Sequence, residues 1–474
     1  MGGRVGMALV SIVQRAHLEK TCRIDPAFYQ PAYLESLKKL LKIKTTPLSK
    51  LAKVSDGNHL TIAEQFQDYP GVRYLRGQDL STEMMIEDRN EVYIPEAVYH
   101  KIERAHIYPR DVLVTIVGAN TGLIGLAYDI PEKLGASCKL GIARAHALNP
   151  GYLYAFLISK FGQHQIRRNK RGGGQTGLIL PDMRNLLIAR FPNLEDEIAK
   201  VALEGHEKIK QAKHVYIKVE QLLLSELGLQ NWKPAPALAY TRNYSQAAHA
   251  RRMDAEHFQP KFEELLQRIT STFDCKPLIR LVKFIEHGKQ PPYVSDGNVF
   301  VFSQKYIGNQ SIDYDFPNDT EVKKTSASFA EKFSQYVLCK NDILHYSVGG
   351  NIGFSQPYLT PETKAMPGSF ITLIRADDGK VESLYLAIVL NSIVGRLQTD
   401  KWKSATAQPY IYPKDIKNFV IPLIAPTLQK EIARLVEQSY AARQEAKIIL
   451  DKAKRAVEIA IEEGEEKAVA LLNE

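Results

Sequence analysis

Cysteine and long apolar runs are scarce in this chain, and each shortage excludes something. The four cysteines in 474 residues, Cys22, Cys138, Cys275 and Cys339, stand far apart, with no Cys-x-x-Cys pair. None joins a histidine at metal-ligand spacing, so a disulfide scaffold and a structural zinc site are both excluded. Reduced thiols in a cytoplasmic protein are the expectation. No stretch approaches the ~18 apolar residues that a membrane span needs. The run from Val5 to Val13 follows Arg4 as a signal peptide would, but Gly6 and Ser11 interrupt it and no small-residue cleavage site follows. Nucleotide loops are missing as well. Gly172 to Gly177 is glycine-rich but lacks the Lys-Ser/Thr of a phosphate-binding loop, and no Gly-x-Gly-x-x-Gly leads from a strand into a helix.

What is present is an ordinary globular composition with a basic balance. Hydrophobic residues at 45% and charged residues at 24% argue against wholesale disorder. Lys and Arg outnumber Asp and Glu by 62 to 53, a formal charge of +9, which favours polyanionic partners without establishing one.

The chain is also an internal duplication. Arg23–Tyr33 (RIDPAFYQPAY) reappears as Arg252–Phe262 (RMDAEHFQPKF), and Pro47–Lys53 answers to Pro277–Lys283. Asp111-Val-Leu with Gly118-x-Asn120-x-Gly122 answers to Asp342-Ile-Leu with Gly349-x-Asn351-x-Gly353. Gln175 and Asp182–Asn185 match Gln408 and Asp415–Asn418, and Pro192-x-Leu-x-x-Glu-Ile matches Pro426-x-Leu-x-x-Glu-Ile. Blocks that keep their order and spacing are not a coincidence of composition. Between them the copies diverge, at 58–108 against 298–338 and at 127–149 against 356–376.

Each copy predicts a short helix (31–42, 260–270), then β-branched strands such as Asp111–Val117 and Asp342–Val348. A further helix follows (152–163, 381–397), then a basic loop, then a short strand ending near proline (186–191, 419–424). Beyond it the apolar period becomes helical, through Leu194, Ile198, Val201, Ile209, Ala212, Tyr216, Val219 and Leu223 in one copy. The other has Leu428, Ile432, Leu435, Ala442, Ala446, Ile449, Ala453, Val457 and Ala460. A long helix with one apolar stripe needs a partner, and the other copy supplies it. The expected class is therefore α+β: two tandem modules of mixed β-sheet with short helices, and two long helices packed antiparallel. The expected boundaries are 1–192, 193–228 for the first long helix, 229–250 for a linker, 251–426, and 427–474 for the second long helix.

Catalysis finds little support. Gln290-Pro-Pro-Tyr293 imitates the motif of DNA amino-methyltransferases, but its polar residue is one methylene too long and the first copy has Asp56-Gly-Asn-His59 instead. No carboxylate pair, Ser-His-Asp set or metal cluster recurs in both copies, and an active site used twice should recur twice. Basic loops do recur: Arg167, Arg168, Lys170 and Arg171 run into Gln175, and Lys401 and Lys403 run into Gln408. Arg and Lys neutralise phosphates, and Gln bonds an adenine edge. Lys289 belongs with these candidates. Asn120 and Asn351 either read a base or simply turn the chain between glycines.

The pattern resembles the specificity subunits of type I restriction–modification systems, over nearly the whole chain. Its carriers are Leu48–Val54 and Leu278–Phe284, Gly288-x-x-Pro291, the Asp111 and Asp342 strands, the Gln175 and Gln408 loops, and the two Pro-x-Leu-x-x-Glu-Ile helix starts. The first copy departs by lacking Gly-x-x-Pro, and Glu197 and Glu431 stand where the family has Gln near each helix start. The resemblance implies a subunit that is not itself an enzyme and holds no metal or cofactor. Each module would read part of a double-stranded DNA site in the major groove, while the helices fix the unread gap. Methyltransferase subunits carrying S-adenosylmethionine would dock on the helices, at positions such as Ile198, Ile209, Tyr216, Ile432, Leu435 and Ile449, and a restriction subunit could join them. Two other readings stay open: a separate specificity subunit of a type IIB-like restriction system, and a coiled-coil scaffold whose modules bind protein.

Overall fold

The computed structural model describes residues 11–15, 18, 23–67, 69–80, 86, 91–118, 120–172, 176–235, 237–308, 310, 312, 316–318, 322–360, 363–404 and 408–474. They form two compact units: residues 1–210 together with 442–474, and residues 211–441. Each unit therefore holds one module and one end of both long helices, a division that sequence boundaries drawn along the chain do not anticipate.

The two units repeat one architecture. In the first, a four-stranded antiparallel sheet has the order Ala52–Asp56, Leu140–Ala145, Val112–Thr115, Ile124–Leu126. In the second the order is Val282–His287, Ile371–Ala376, Asp342–Tyr346, Ser355–Tyr358. A three-stranded sheet accompanies each, with one parallel pair: Val72–Leu75 beside Leu134–Ala136, and Val299–Phe302 beside Ala365–Pro367. Val112–Thr115 and Asp342–Tyr346 are buried along their whole length, so these two strands lie between packed layers rather than on a half-wet surface.

One ion pair recurs in the frame. Asp111 and Asp342 are each 1% exposed. Arg144 grips Asp111 through Nε and Nη2 at 2.9 and 2.8 Å, and Arg375 grips Asp342 at 2.7 Å through the same two nitrogens. Each carboxylate also accepts a backbone N–H three residues upstream, from Tyr108 or Cys339. The residues between, Arg110 and Asn341, take positive φ (70° and 69°).

The single helices expected at 152–163 and 381–397 are each two. Pro150–Ile158 and Lys160–Asn169 meet at Ser159, and Ser383–Asn391 and Ile393–Trp402 meet at Ser392. Both serines are extended and cap the following helix through the side chain. The next turn crosses close beneath: a Cβ on Gly162 or Gly395 would overlap the backbone carbonyl of Phe156 or Leu390. The repeated Ser-x-x-Gly was therefore the overlooked signal. Of the expected basic loops, Arg167, Arg168 and Lys401 belong to the last turns of Lys160–Asn169 and Ile393–Trp402, where cations also suit the helix dipole, while Lys170 and Lys403 cap those helices and Arg171 follows.

The long helices span Glu195–Glu226 and Pro426–Glu462, about 48 and 56 Å at 1.5 Å per residue. In the first unit Lys208 pairs with Glu445 at 2.7 Å, and Gly205 faces Leu450. Rising numbers on one helix thus meet falling numbers on the other. In the second unit Ser439 donates to the Ala212 carbonyl at 2.7 Å, and Glu431 feels the charge of Lys218. The direction is again antiparallel. The second long helix stops earlier than expected, because Gly464 at φ 102° turns the chain into a separate helix, Glu465–Asn473. The presumed linker contains a helix of its own, Tyr244–Ala250, and Arg242 ties it to the second module through the Phe258 carbonyl. No helix among the described residues is long and apolar enough to cross a membrane.

Candidate nucleic-acid interface

Four chain segments meet at one end of the large sheet in each unit, held by matching backbone hydrogen bonds. In the first unit Gly57 N–H reaches the Leu140 carbonyl (3.1 Å), Ile116 N–H reaches Lys139 (2.8 Å), Leu178 N–H reaches Ile116 (2.8 Å) and Gly118 N–H reaches Thr176 (2.9 Å). In the second, Gly288 reaches Ile371 (2.8 Å), Ser347 reaches Phe370 (3.1 Å), Ile411 reaches Ser347 (3.0 Å) and Gly349 reaches Pro409 (2.9 Å). The glycine turn with its central asparagine is thereby laid beside the loop that carries Gln175 or Gln408. Gly57 also shows that the first copy keeps the glycine of the Gly288 motif and lacks only its proline. A Cβ on either would strike the backbone carbonyls of Ala136 and Ser137, or of Pro367 and Gly368.

The side chains on this shared frame differ. In the first unit they border a cleft of about 430 Å³ lined by His59, Arg76, Gln78, Asn120 and Lys139 among others. Gln78, Asn120 and Lys139 are exposed. Arg76 is held by the buried Asp79, and Asp56 by His59 and Arg104. In the second unit the position of Asp56 is taken by His287, whose Nε2 meets Tyr410 Oη at 2.7 Å and whose Nδ1 meets Thr372 Oγ1 at 3.1 Å. Burial lowers the His287 pKa, and both of its ring nitrogens are engaged by these hydroxyls. Around it Phe370, Tyr412 and Tyr293 stand about half exposed. One end is polar and cationic, the other aromatic.

Of the expected phosphate contacts, most are drawn into the fold instead. Arg168 lies 3.8 Å above the Phe28 ring and donates to the Phe28 carbonyl; burial lowers its pKa and that of Lys170. Arg23, paired with Asp25, donates to the Lys170 carbonyl, and Arg252, paired with Asp254, does the same to Trp402 and Lys403. The repeated Arg-x-Asp motif is thus a clasp on the end of the basic helix that follows about 150 residues later in the same module. Arg171 is bidentate to Asp182, Lys403 pairs with Asp400, and Lys401 is partly buried with a lowered pKa. Lys289 rests 4.6 Å from the Tyr336 ring. Arg167, Asn120 and Gln408 are exposed, and Asn351 is half-buried. Gln175 lies outside the described residues. Gln290 turns back to Tyr293 at 2.9 Å, so Gln-Pro-Pro-Tyr closes on itself.

The expected docking positions are also corrected. Ile198, Tyr216, Ile432 and Leu435 are 4% exposed or less and build the cores of their own units. Tyr216 accepts a hydrogen bond from Asn391 at 2.9 Å. Ile209 and Ile449 are half-buried. The apolar seam joins helix to helix and helix to module, which leaves the outer faces for any partner; there Ile448 is 69% exposed.

Sequence reasoning missed Gln78, Lys139, Phe370 and Tyr412, because nothing local distinguishes an exposed residue at a sheet end from any other surface residue. Their one signal was that all but Tyr412 fall in stretches where the two copies diverge.

No family model matches the chain, and no curated protein matches it. Among solved structures, it is similar to a type I restriction–modification S subunit from M. genitalium, with 12% identity, 90% of this chain and 95% of that one covered, and a TM-score of 0.36. It is also similar to the HsdS subunit from Thermoanaerobacter tengcongensis, with 16% identity, 91% and 95% covered, and a TM-score of 0.25.

Proposed function

We propose that this chain is the DNA sequence-specificity subunit of a type I restriction–modification complex, without catalytic activity of its own. Each module reads one half of an asymmetric bipartite site, and the long helices set the gap. The observation that carries this reading is the repeated frame with unlike side chains at the same sheet end. Two copies of one scaffold presenting different hydrogen-bonding and apolar groups are what an asymmetric two-part target requires. The exposed Gln78, Asn120, Lys139 and Gln408 side chains there are groups of the kind that pair with base edges and phosphates, and the formal charge of +9 favours a polyanion. Methyltransferase subunits holding S-adenosylmethionine dock on the outer faces of the helices, and a restriction subunit joins that assembly.

The test is reconstitution with methyltransferase subunits and mapping of the methylated adenines. A bipartite motif is expected, and exchanging residues 1–190 for the equivalent module of another such chain should change one half only. If both halves change together, the assignment of one module to one half-site is wrong. A scaffold that binds only protein would show no salt-dependent DNA binding in the same mixture.

A further inference from the structure

We infer that positions 139 and 370 are equivalent specificity-determining positions: Lys139 selects guanine at one step of its half-site, and Phe370 selects thymine at one step of the other. The inference rests on the DNA-reading role proposed above and assigns its chemistry to two residues.

The equivalence is structural. The carbonyls of Lys139 and Phe370 accept the N–H of Ile116 and Ser347, whose own carbonyls accept the N–H of Leu178 and Ile411. Two residues beyond Ile116 and Ser347 the chain enters the Gly118 and Gly349 turns, with φ 103° and 101°. Each position therefore occupies the same rung, one strand from the Asn120 or Asn351 turn. Both side chains face outward. Lys139 is exposed, has no ion-pair partner among the described residues, and shares its cleft with Gln78 and Asn120. Phe370 is 51% exposed beside Ser369, whose hydroxyl donates to Gln290 Oε1.

The chemistry follows from what each can bind. A lysine ammonium donates to the O6 and N7 acceptors of guanine, and an apolar ring packs on the thymine methyl. Lysine alone could equally rest on a phosphate. Phenylalanine cannot, since a phosphate gives an apolar ring nothing in exchange for its lost water. A rung that carries phenylalanine in one module thus faces bases, and the equivalent rung carries lysine. Both residues also lie where the two copies diverge, as residues reading different words would.

The experiment is selection from a random duplex library by the full-length chain reconstituted with methyltransferase subunits, with Lys139→Gln, Lys139→Met, Phe370→Ala and Phe370→Leu beside the parent. The parent should enrich a bipartite sequence. Lys139→Met should lower guanine preference at one position about tenfold or more, and Lys139→Gln should move it toward adenine. Phe370→Ala should lower thymine preference at one position of the other half, with Phe370→Leu retaining part of it. A uniform loss of affinity in Lys139→Met with a shallower salt dependence would make Lys139 a phosphate contact and overturn the assignment. Unchanged base preferences in all four variants would overturn it for both positions. If the parent itself enriches no sequence, the DNA-reading role fails and the inference with it.

Discussion

Arg144 and Arg375 each hold a carboxylate that water barely reaches, and their removal should be felt as an orphaned charge. Arg144→Met or Arg375→Met is expected to lower stability by about 3 kcal/mol, read from denaturant midpoints. Replacing the partner as well, Asp111→Asn with Arg144→Met, should recover part of the loss. Two neighbouring arginines should separate cleanly. Arg168 is committed to Phe28, so Arg168→Ala should destabilise by about 1–2 kcal/mol and leave the salt dependence of the proposed DNA binding unchanged. Arg167 is exposed, so Arg167→Ala should leave stability within about 0.5 kcal/mol and reduce the log–log salt slope by about 0.9. A sequence cannot make this distinction. Four cations in five residues look alike until one knows that Phe28 and Asp182 wait beneath two of them.

Among the elements, the strands and the start of each long helix were legible because hydrophobic period and proline position follow from local chemistry. The split helices were not, since Ser159 and Ser392 break a continuous apolar run and act only through a neighbouring turn. Nor was the sharing of the long helices between units, which depends on contacts more than 200 residues apart. The helix pair offers its own tests. Gly205 admits Leu450 so closely that an added Cβ would stand 2.7 Å from its Cδ2, and Gly205→Leu should therefore loosen the first unit. A few per cent of lost thermal stability would not suffice; a fall of several degrees is expected. On the same helix His206 is buried against Tyr154 and Tyr128, and burial lowers its pKa to about 4. His345 in the second unit is lowered to about 3 for the same reason. In both cases the unfolded ring takes up a proton near pH 6.5 while the folded ring does not. Stability should thus be full above that pH and fall as the pH drops from about 6.5 toward 4 and 3. His206→Leu should flatten the loss between pH 6.5 and 4, measured as the denaturant midpoint of the full chain.

For the whole molecule, what was readable was the duplication, and what was not was how the chain distributes it. The first unit is discontinuous: Ile198, Ala199 and Ala202 share a core with Ala453, Ala456, Val457 and Ala460, while residues 211–441 form the second unit without interruption. That division orders events at the ribosome. Synthesis proceeds at about 5–20 residues per second and domains generally fold as units, so the second unit has its full complement of residues before the first does. The first module waits with an apolar helix face uncovered until the segment 442–474 arrives to cover it. Closing that long loop costs little more than closing a shorter one, because the entropy grows only with the logarithm of its length. The cost falls on time, during which the first module is the part of the nascent chain most in need of protection.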